Sequence, residues 1–459
     1  MNKIVLIGAG SVVFTRGLIA DLIQSSPGRL RTLALVDIDP EALETADQLA
    51  RRMIAARDAD IHIEASTDRR DVLPDADVVI TTIGVGGRRA WEQDVFIPRR
   101  YGIYQPVGDT MMPGGISRAM RMIPALVEIA RDVQALCPQA WFFNYSNPMT
   151  ANCWAIQQAT GLNAVGLCHG AFSVERELAR LIGARPEEVS SMAVGLNHLT
   201  FFYDLRWRGQ DAWPLIRQRL ARERDLPFDP ASFGQTIPRS LTTRTNPFSW
   251  SLFEAYGGYP SANDRHVTEF FPERFPGGEY YGATLGQDAF SFEWVIGDGD
   301  RIYANMRAQA LGEKPLDQRI FERSAGEHEQ IIDILDSIEL DRRRIFYVNV
   351  PNRGAVPNLP DDAVLELPAA ATAGGLRPLQ ALDFPDTLAA IITRKLASIR
   401  LTVEAALTGS RELFVEALLE DGAVTDLDVA RALADDLLEA QRPYLPNFFP
   451  EEAPELVFA

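Results

Sequence analysis

Cysteine is scarce in this chain. Three occur among 459 residues, Cys137, Cys153 and Cys168, too few and too widely spaced for a disulfide framework, so a reducing compartment is expected. No stretch approaches the roughly 18 uninterrupted apolar residues that a membrane span needs. The first apolar run, Ile4-Val5-Leu6-Ile7, is closed by Gly8, short of the about 7–15 residues of a secretory core. A strand is expected there, and a cytoplasmic protein. Positive charge is also in deficit: 45 Lys+Arg face 63 Asp+Glu, for a net charge of −18. That balance repels phosphate backbones and anionic membranes, so neither nucleic acid nor membrane is expected as a partner. A small anionic substrate stays compatible, because a few local arginines outweigh a distant field.

What is present is ordinary for a soluble folded protein, 46% hydrophobic and 24% charged residues, and the length suits two or three packed units. Ile4–Ile7, a glycine turn and a helical pattern over Phe14–Gln24 open the chain. Thr32–Val36 reads as a second strand ending in Asp37, Glu41–Ala56 as a helix, and Val78–Ile83 as a buried strand running into Gly84-Val85-Gly86-Gly87. Helix Ile123–Leu136, strand Trp141–Tyr145, helix Thr150–Ala159 and strand Ala164–Cys168 continue the alternation. This rhythm predicts an α/β fold with a doubly wound, Rossmann-type domain over residues 1–190. Residues 191–459 read as a mixed α+β domain. Its strands are Val194–Phe202 and Leu205–Trp207, followed by a Pro- and Ser/Thr-rich loop at Asp225–Pro247. Its helices are Leu316–Leu335, Leu388–Thr408, Arg411–Glu420 and Asp426–Leu438. No internal repeat or low-complexity tract occurs.

Gly8-Ala9-Gly10-Ser11 supplies the first two glycines of a dinucleotide fingerprint, one for the tight turn and one for close approach to a pyrophosphate. The third is missing, since Val13 stands in its place. A plain βα turn is the other reading. The context favours a cofactor: the motif follows a strand and opens a helix, and Asp37 ends the next strand at a distance suited to ribose hydroxyls. An acidic group there repels a 2′-phosphate, which favours NAD over NADP. Gly84 and its neighbours would let the chain pass close to the same cofactor.

Polar clusters fall where ligands sit in such sheets: Gln105-Pro106-Val107-Gly108-Asp109-Thr110, Asn144-Tyr145-Ser146-Asn147-Pro148 and Cys168-His169-Gly170. Asn197-His198 lies early in the second half. Spacing alone makes Cys168 and His198 a weak metal pair, a buried strand cysteine being usually core, and thiolate with imidazole favours zinc over manganese. Asp264, Arg265, His266 and Glu269 stand close together in Asn263–Phe270. The set suits acid–base work, and a capped polar helix start explains it equally well. Val348-Asn349-Val350-Pro351-Asn352-Arg353-Gly354 reads as a shaped loop.

Taken in order, these clusters resemble glycoside hydrolase family 4, the NAD- and divalent-metal-dependent glycosidases, an exception to the two-carboxylate pattern of glycoside hydrolysis. The resemblance spans nearly the whole chain through Gly8-Ala9-Gly10-Ser11, Tyr101-Gly102-Ile103-Tyr104-Gln105, Pro113-Gly114-Gly115-Ile116, Asn144–Pro148, Cys168-His169, Gly195-Leu196-Asn197-His198 and Val350-Pro351-Asn352-Arg353-Gly354. Within the family the chain looks most like the α-galacturonidase branch, through Gly102–Thr110, Asp264–Phe270 and Val356-Pro357-Asn358-Leu359-Pro360. Phosphate-specific members carry Asp after the metal cysteine. Here His169 follows Cys168, which argues against a phosphorylated sugar. An α-glucuronidase, α-glucosidase or α-galactosidase of the same family stays open.

The resemblance implies that Cys168 and His198 bind Mn²⁺, or another divalent metal, and that Gly8, Gly10, Ser11, Asp37 and Gly84 bind NAD. It implies redox-assisted elimination: hydride leaves C3 for NAD, the C2 proton is removed beside a Lewis-acidic metal, the C1–O bond breaks, water adds, and the hydride returns. Many members use a tyrosine as base in the segment aligned with Asn263–Phe270. None lies there, so His266 is the expected base, with Asp264 second. His169 is expected to protonate the leaving group, and Asn147 to touch substrate hydroxyls. A uronic acid needs a cation for its carboxylate, and Arg118 and Arg265 are the candidates, although either would serve as an ordinary ion pair. Relatives suggest a homo-oligomer, a dimer or tetramer. The rivals are an NAD-dependent 2-hydroxy-acid dehydrogenase and an NAD-binding sensor without chemistry.

Overall fold

A computed structural model of the chain describes residues 2–11, 14–25, 32–222, 234–235, 240–321 and 330–450. Six short strands form the parallel half: β1 (Lys3–Ile7), β2 (Thr32–Val36), β3 (His62–Ser66), β4 (Val78–Thr81), β5 (Trp141–Asn144) and β6 (Val165–Gly166). They lie in the order β3-β2-β1-β4-β5-β6, all neighbours parallel. This is the doubly wound dinucleotide-binding order, with its crevice where the order reverses beside β1. The expected α/β architecture is therefore present.

The sheet does not stop at residue 190. Beyond β6 come β7 (Val189–Leu196), β8 (Leu199–Trp207), β9 (Gln210–Asp211), β10 (Tyr259–Pro260), a separate hairpin β11 (Glu279–Tyr280) and β12 (Ala283–Thr284), then β13 (Arg344–Pro351), β14 (Val364–Thr372) and β15 (Gly375–Pro378). β13 joins β6 antiparallel at Asn349 and Gly166, and β14, β7, β8 and β10 extend the sheet outward. Helices of the second half also pack back on the first, Asp386–Thr408 against Met112–Leu136 among them. One apolar core runs through both halves.

Several elements differ from the sequence reading. Val194–Phe202 is not one strand; it breaks at Asn197-His198, where β7 turns back into β8. Val348–Pro351 belongs to β13 rather than a loop. The helix expected from Ile123 starts at Met112, and Ala164–Cys168 contributes strand only at Val165–Gly166. The single helix expected over Leu316–Leu335 is replaced by a turn at Gln318–Phe321 and a helix at Ile331–Glu339, with 322–329 outside the described residues. Val13 and most of the loop expected at Asp225–Pro247 also lie outside them. Among the described residues, no helix is long and apolar enough to cross a membrane.

Candidate active site

Two neighbouring features occupy the carboxyl ends of the parallel strands. The first is the turn after β1. Gly8 has φ +90°, and a Cβ there would fall 2.7 Å from the Ile83 backbone nitrogen, so only glycine lets the turn pass β4 so closely. Gly8 and Ala9 donate N–H to Val36 O, and Gly10 donates to Asp37 Oδ2 at 2.8 Å. Asp37 Oδ1 accepts from Asp39 N at 3.0 Å. Burial raises the Asp37 carboxyl, offset by these two N–H donors. A carboxylate offers about four lone-pair positions, so Asp37 holds the turn and keeps capacity for hydroxyl donors. Ser11 closes the turn with its N–H on Gly8 O. Gly84 opens the facing loop; a Cβ there would meet only the Arg118 guanidinium, at 3.8 Å. The glycine turns, the acidic strand end and the open crevice fit a dinucleotide bearing ribose hydroxyls.

The second feature is a nest of polar groups, His198 buried and Asp109 and His266 half-buried. Ligand atoms of Asp109, His198 and His266 lie within 4.8 Å of one another. The two imidazoles are 4.1 Å apart between ring centroids. His198 sits on the β7–β8 turn with φ +69°, a left-handed conformation that costs a non-glycine residue of order 1–3 kcal/mol and is found at functional sites. Its Nδ1 faces Thr110 Oγ1 at 3.0 Å, which leaves Nε2 for the cluster. Asp109 accepts from Thr110 Oγ1 at 2.7 Å and from Asn147 Nδ2 at 2.9 Å. Burial pushes His198 down to about 4, against the pull of Asp109. His266 is also driven well down, by burial and then by His198. Both rings are thus neutral, the state in which imidazole binds metals or accepts protons.

His169 and Arg265 lie close enough to act on both rings electrostatically. Cys168 lies beside them in sequence, its Sγ receiving the Gly170 N–H at 3.3 Å at the start of helix Gly170–Leu181. It is not one of the three converging groups, so only half of the expected Cys168–His198 pair is among them. Arg118 donates Nε to Asn147 O at 3.0 Å, linking the glycine crevice to the polar nest. Arg265 is 6% exposed, its Nε has no partner, and burial lowers its guanidinium. Among the described residues neither arginine forms an ion pair.

Asp264 is removed from the candidate bases. It is fully buried, and its carboxylate accepts from Phe248 N, Ser249 N, Ser249 Oγ and Tyr280 OH. It caps helix Pro247–Tyr256. Two further residues complete the nest. Asp109 belongs to the polar cluster Gln105–Thr110, which follows helix Gly87–Arg100 and not a strand. Glu269 fixes that segment: Oε1 accepts Val107 N at 2.8 Å and Gly108 N at 2.7 Å, while Oε2 is buried without a partner. Burial, with Asp109 adding, pushes Glu269 up to about 8.

Unfilled hydrogen-bonding atoms converge here. Asn147 Oδ1, Arg265 Nε, His266 Nδ1 and Glu269 Oε2 are all buried and unpartnered, which costs free energy unless a ligand supplies partners. With the neutral imidazole of His198 and the Asp109 carboxylate, and His266 beside them, the donor set fits a divalent cation with oxygen ligands completing it. The raised Glu269 has a stability consequence. Its proton favours the folded state below about 4.5 and ceases to do so as pH rises toward 8. Metal-free protein is therefore expected to lose thermal stability across that window, and Glu269→Gln to flatten the slope. An unchanged slope in a melting series would contradict this.

The comparisons agree over the full length. The sequence matches the profiles "Family 4 glycosyl hydrolase" over residues 3–184 and "Family 4 glycosyl hydrolase C-terminal domain" over residues 193–424. It is 32% identical to an alpha-glucosidase of Erwinia rhapontici, covering 97% of this chain and 99% of that protein. It is 30% identical to an alpha-galacturonidase of Bacillus subtilis (strain 168), covering 95% and 97%. The solved structure of the Bacillus subtilis protein lplD is 27% identical with TM-score 0.80, covering 95% of this chain and 100% of that one. A 6-phospho-alpha-glucosidase from gut microorganisms, solved in complex with NAD and Mn²⁺, shares the fold at 22% identity and TM-score 0.81, covering 97% and 99%.

Proposed function

The chain belongs to family 4 of the glycosyl hydrolases, and from that premise we propose that it cleaves α-linked galacturonides with NAD and a divalent metal, Mn²⁺ by expectation. The observation that carries the uronide is the pair of guanidiniums, Arg118 and Arg265, beside the nest without a carboxylate partner among the described residues. A buried cation of this kind is matched by an anionic substrate, and its planar fork suits a carboxylate. Relatives of both kinds, alpha-galacturonidase and alpha-glucosidase, are similar at about the same level. The charge distribution favours the first.

Gly8, Gly10, Ser11, Asp37 and Gly84 would hold the dinucleotide, and His198 with Asp109 and Cys168 would hold the metal. The chemistry these groups supply is oxidation at C3 and Lewis-acid polarisation of the neighbouring oxygens, which together acidify the C2 proton. His266, kept neutral by burial and with Nδ1 unpartnered, takes that proton. His169, at the start of its helix, gives a proton to the departing oxygen. Asn147, tied to Asp109, orients the sugar hydroxyls. Arg265 and Arg118 bind the C6 carboxylate.

Arg265→Gln tests the substrate. Truncating one partner of a buried charge pair costs about 2–5 kcal/mol, so kcat/KM for p-nitrophenyl α-galacturonide is expected to fall at least about 30-fold. Turnover of the neutral α-galactoside should barely change. Equal losses on both would show that Arg265 does not read the carboxylate, and a wild-type preference for the α-glucoside would favour the alpha-glucosidase reading.

A further inference from the structure

Helix Phe292–Ala310 comes from the second half of the chain but bridges two helices of the first, Gly87–Arg100 and Pro40–Ala56. Its opening turns pack on helix Gly87–Arg100, which follows β4. The Phe292 ring meets Trp91 and Phe96 edge-on, at 5.1 and 5.5 Å between centroids. Asp300 then receives Arg88 Nε at 2.6 Å and Arg89 Nη2 at 2.5 Å. The closing turns lie along helix Pro40–Ala56, which follows β2. Arg307 pairs with Glu41 at 3.1 Å, and Arg52 donates to Gln309 O.

From Asp300 to Arg307 is roughly 10 Å of helix. From β4 to β2, with β1 between them, is two strand spacings, about 10 Å. The stretch 300–307 thus has the length needed to reach from the helix after β4 to the helix after β2, past the end of β1. Inside it, Met306 is 1% exposed, and the Tyr303 ring lies under the Arg88 guanidinium at 5.7 Å.

We infer that this helix is a strap that retains the dinucleotide across catalytic cycles, latched by Arg88 and Arg89 on Asp300 at one end and by Arg307 on Glu41 at the other. The inference rests on the proposed cofactor role of the crevice. It suits a reaction in which the hydride taken from the sugar is returned to it, because the dinucleotide then need not leave between turnovers. Release requires the latches to open. Exposed ion pairs are individually weak and screened by salt, so the strap slows exchange without sealing the crevice.

The test is NADH release from the full-length protein, followed by its fluorescence during a chase with excess NAD. In Asp300→Ala/Arg307→Ala, release is expected to be roughly three- to tenfold faster, and in Asp300→Asn alone it should be intermediate. Raising salt should speed release from the wild type and leave the double variant unaffected. Hydrogen exchange should show amides of Phe292–Ala310 protected when NAD binds. Wild-type release rates in both variants, with no change in protection, overturn the strap while leaving the cofactor reading intact. A wild-type protein that binds no NADH overturns both.

Discussion

His198→Asn is expected to abolish Mn²⁺ binding and to lower turnover by more than 100-fold. Asparagine is chosen because it tolerates the left-handed φ of +69° at the hairpin turn, so the loss reports the imidazole and not a broken β7–β8 connection. Removing outer-shell partners of a metal ligand already costs roughly 10–100-fold, and a direct ligand costs more. NAD affinity should be nearly unchanged, since the glycine turn after β1 is built from other residues. His266→Asn separates the two imidazoles: as the proton acceptor its loss should remove turnover and C2 hydrogen exchange while Mn²⁺ still binds. Mn²⁺ titration of both variants decides the matter. If His266→Asn also loses the metal, the three converging groups are all ligands and the base lies elsewhere.

Asp94→Ala is expected to be the most destabilising single change. Asp94 and Arg121 are both fully buried, with Arg121 Nη1 and Nη2 on the two carboxylate oxygens at 2.9 and 2.5 Å. Ser117 Oγ and Gln441 Nε2 add bonds to Oδ1 at 2.9 and 3.1 Å, so three helices meet at one carboxylate. Arg121 Nε also holds Val85 O, in the glycine loop of the crevice, at 2.9 Å. Removing one partner of such a pair strands the other charge and costs about 3–5 kcal/mol. A lower urea midpoint at unchanged slope would report it. The loosened Val85 loop should weaken NAD binding as well. A loss below about 1 kcal/mol would show that Arg121 finds another partner.

The elements legible in the sequence were those whose periodicity is set by burial alone. β1, β2 and β4 are apolar on both faces, and the helices Pro40–Ala56 and Leu427–Gln441 carry one apolar stripe each. What stayed hidden depends on contacts between distant segments. β13 carries Asn349, polar in a buried strand, and its Nδ2 donates to Glu366 Oε1 on β14 at 3.1 Å and to Gly166 O on β6 at 3.4 Å. The first turns of Met112–Leu136 fall outside the helix expected from Ile123, and they carry Pro113, Gly114 and Gly115, which disfavour a helical reading. Yet a Cβ on Gly115 would fall 2.4 Å from the Thr110 backbone, so glycine is what lets the helix begin against the Asp109 segment.

The site was legible in the same uneven way. Motifs that keep their order along the chain point to His198, His266 and Arg265, which the fold brings near one another. Asp264 was misjudged because a carboxylate in a polar segment looks the same whether it faces a substrate or caps a helix. The donors of Phe248, Ser249 and Tyr280, 15 or 16 positions away, tell the two apart. Asp109 stands within the Gln105–Thr110 cluster and Glu269 within Asn263–Phe270, but what each does depends on partners up to 162 positions away.

The proposed glycosidase needs both a dinucleotide and a divalent metal for a reaction with no net redox change. The most direct measurement is p-nitrophenol release from the α-galacturonide in reducing buffer, with NAD and Mn²⁺ each omitted in turn and absorbance of NADH followed alongside. Release that requires both, with no accumulation of NADH, is the predicted result. Release that is indifferent to NAD, or NADH building up in proportion to substrate consumed, would contradict the account.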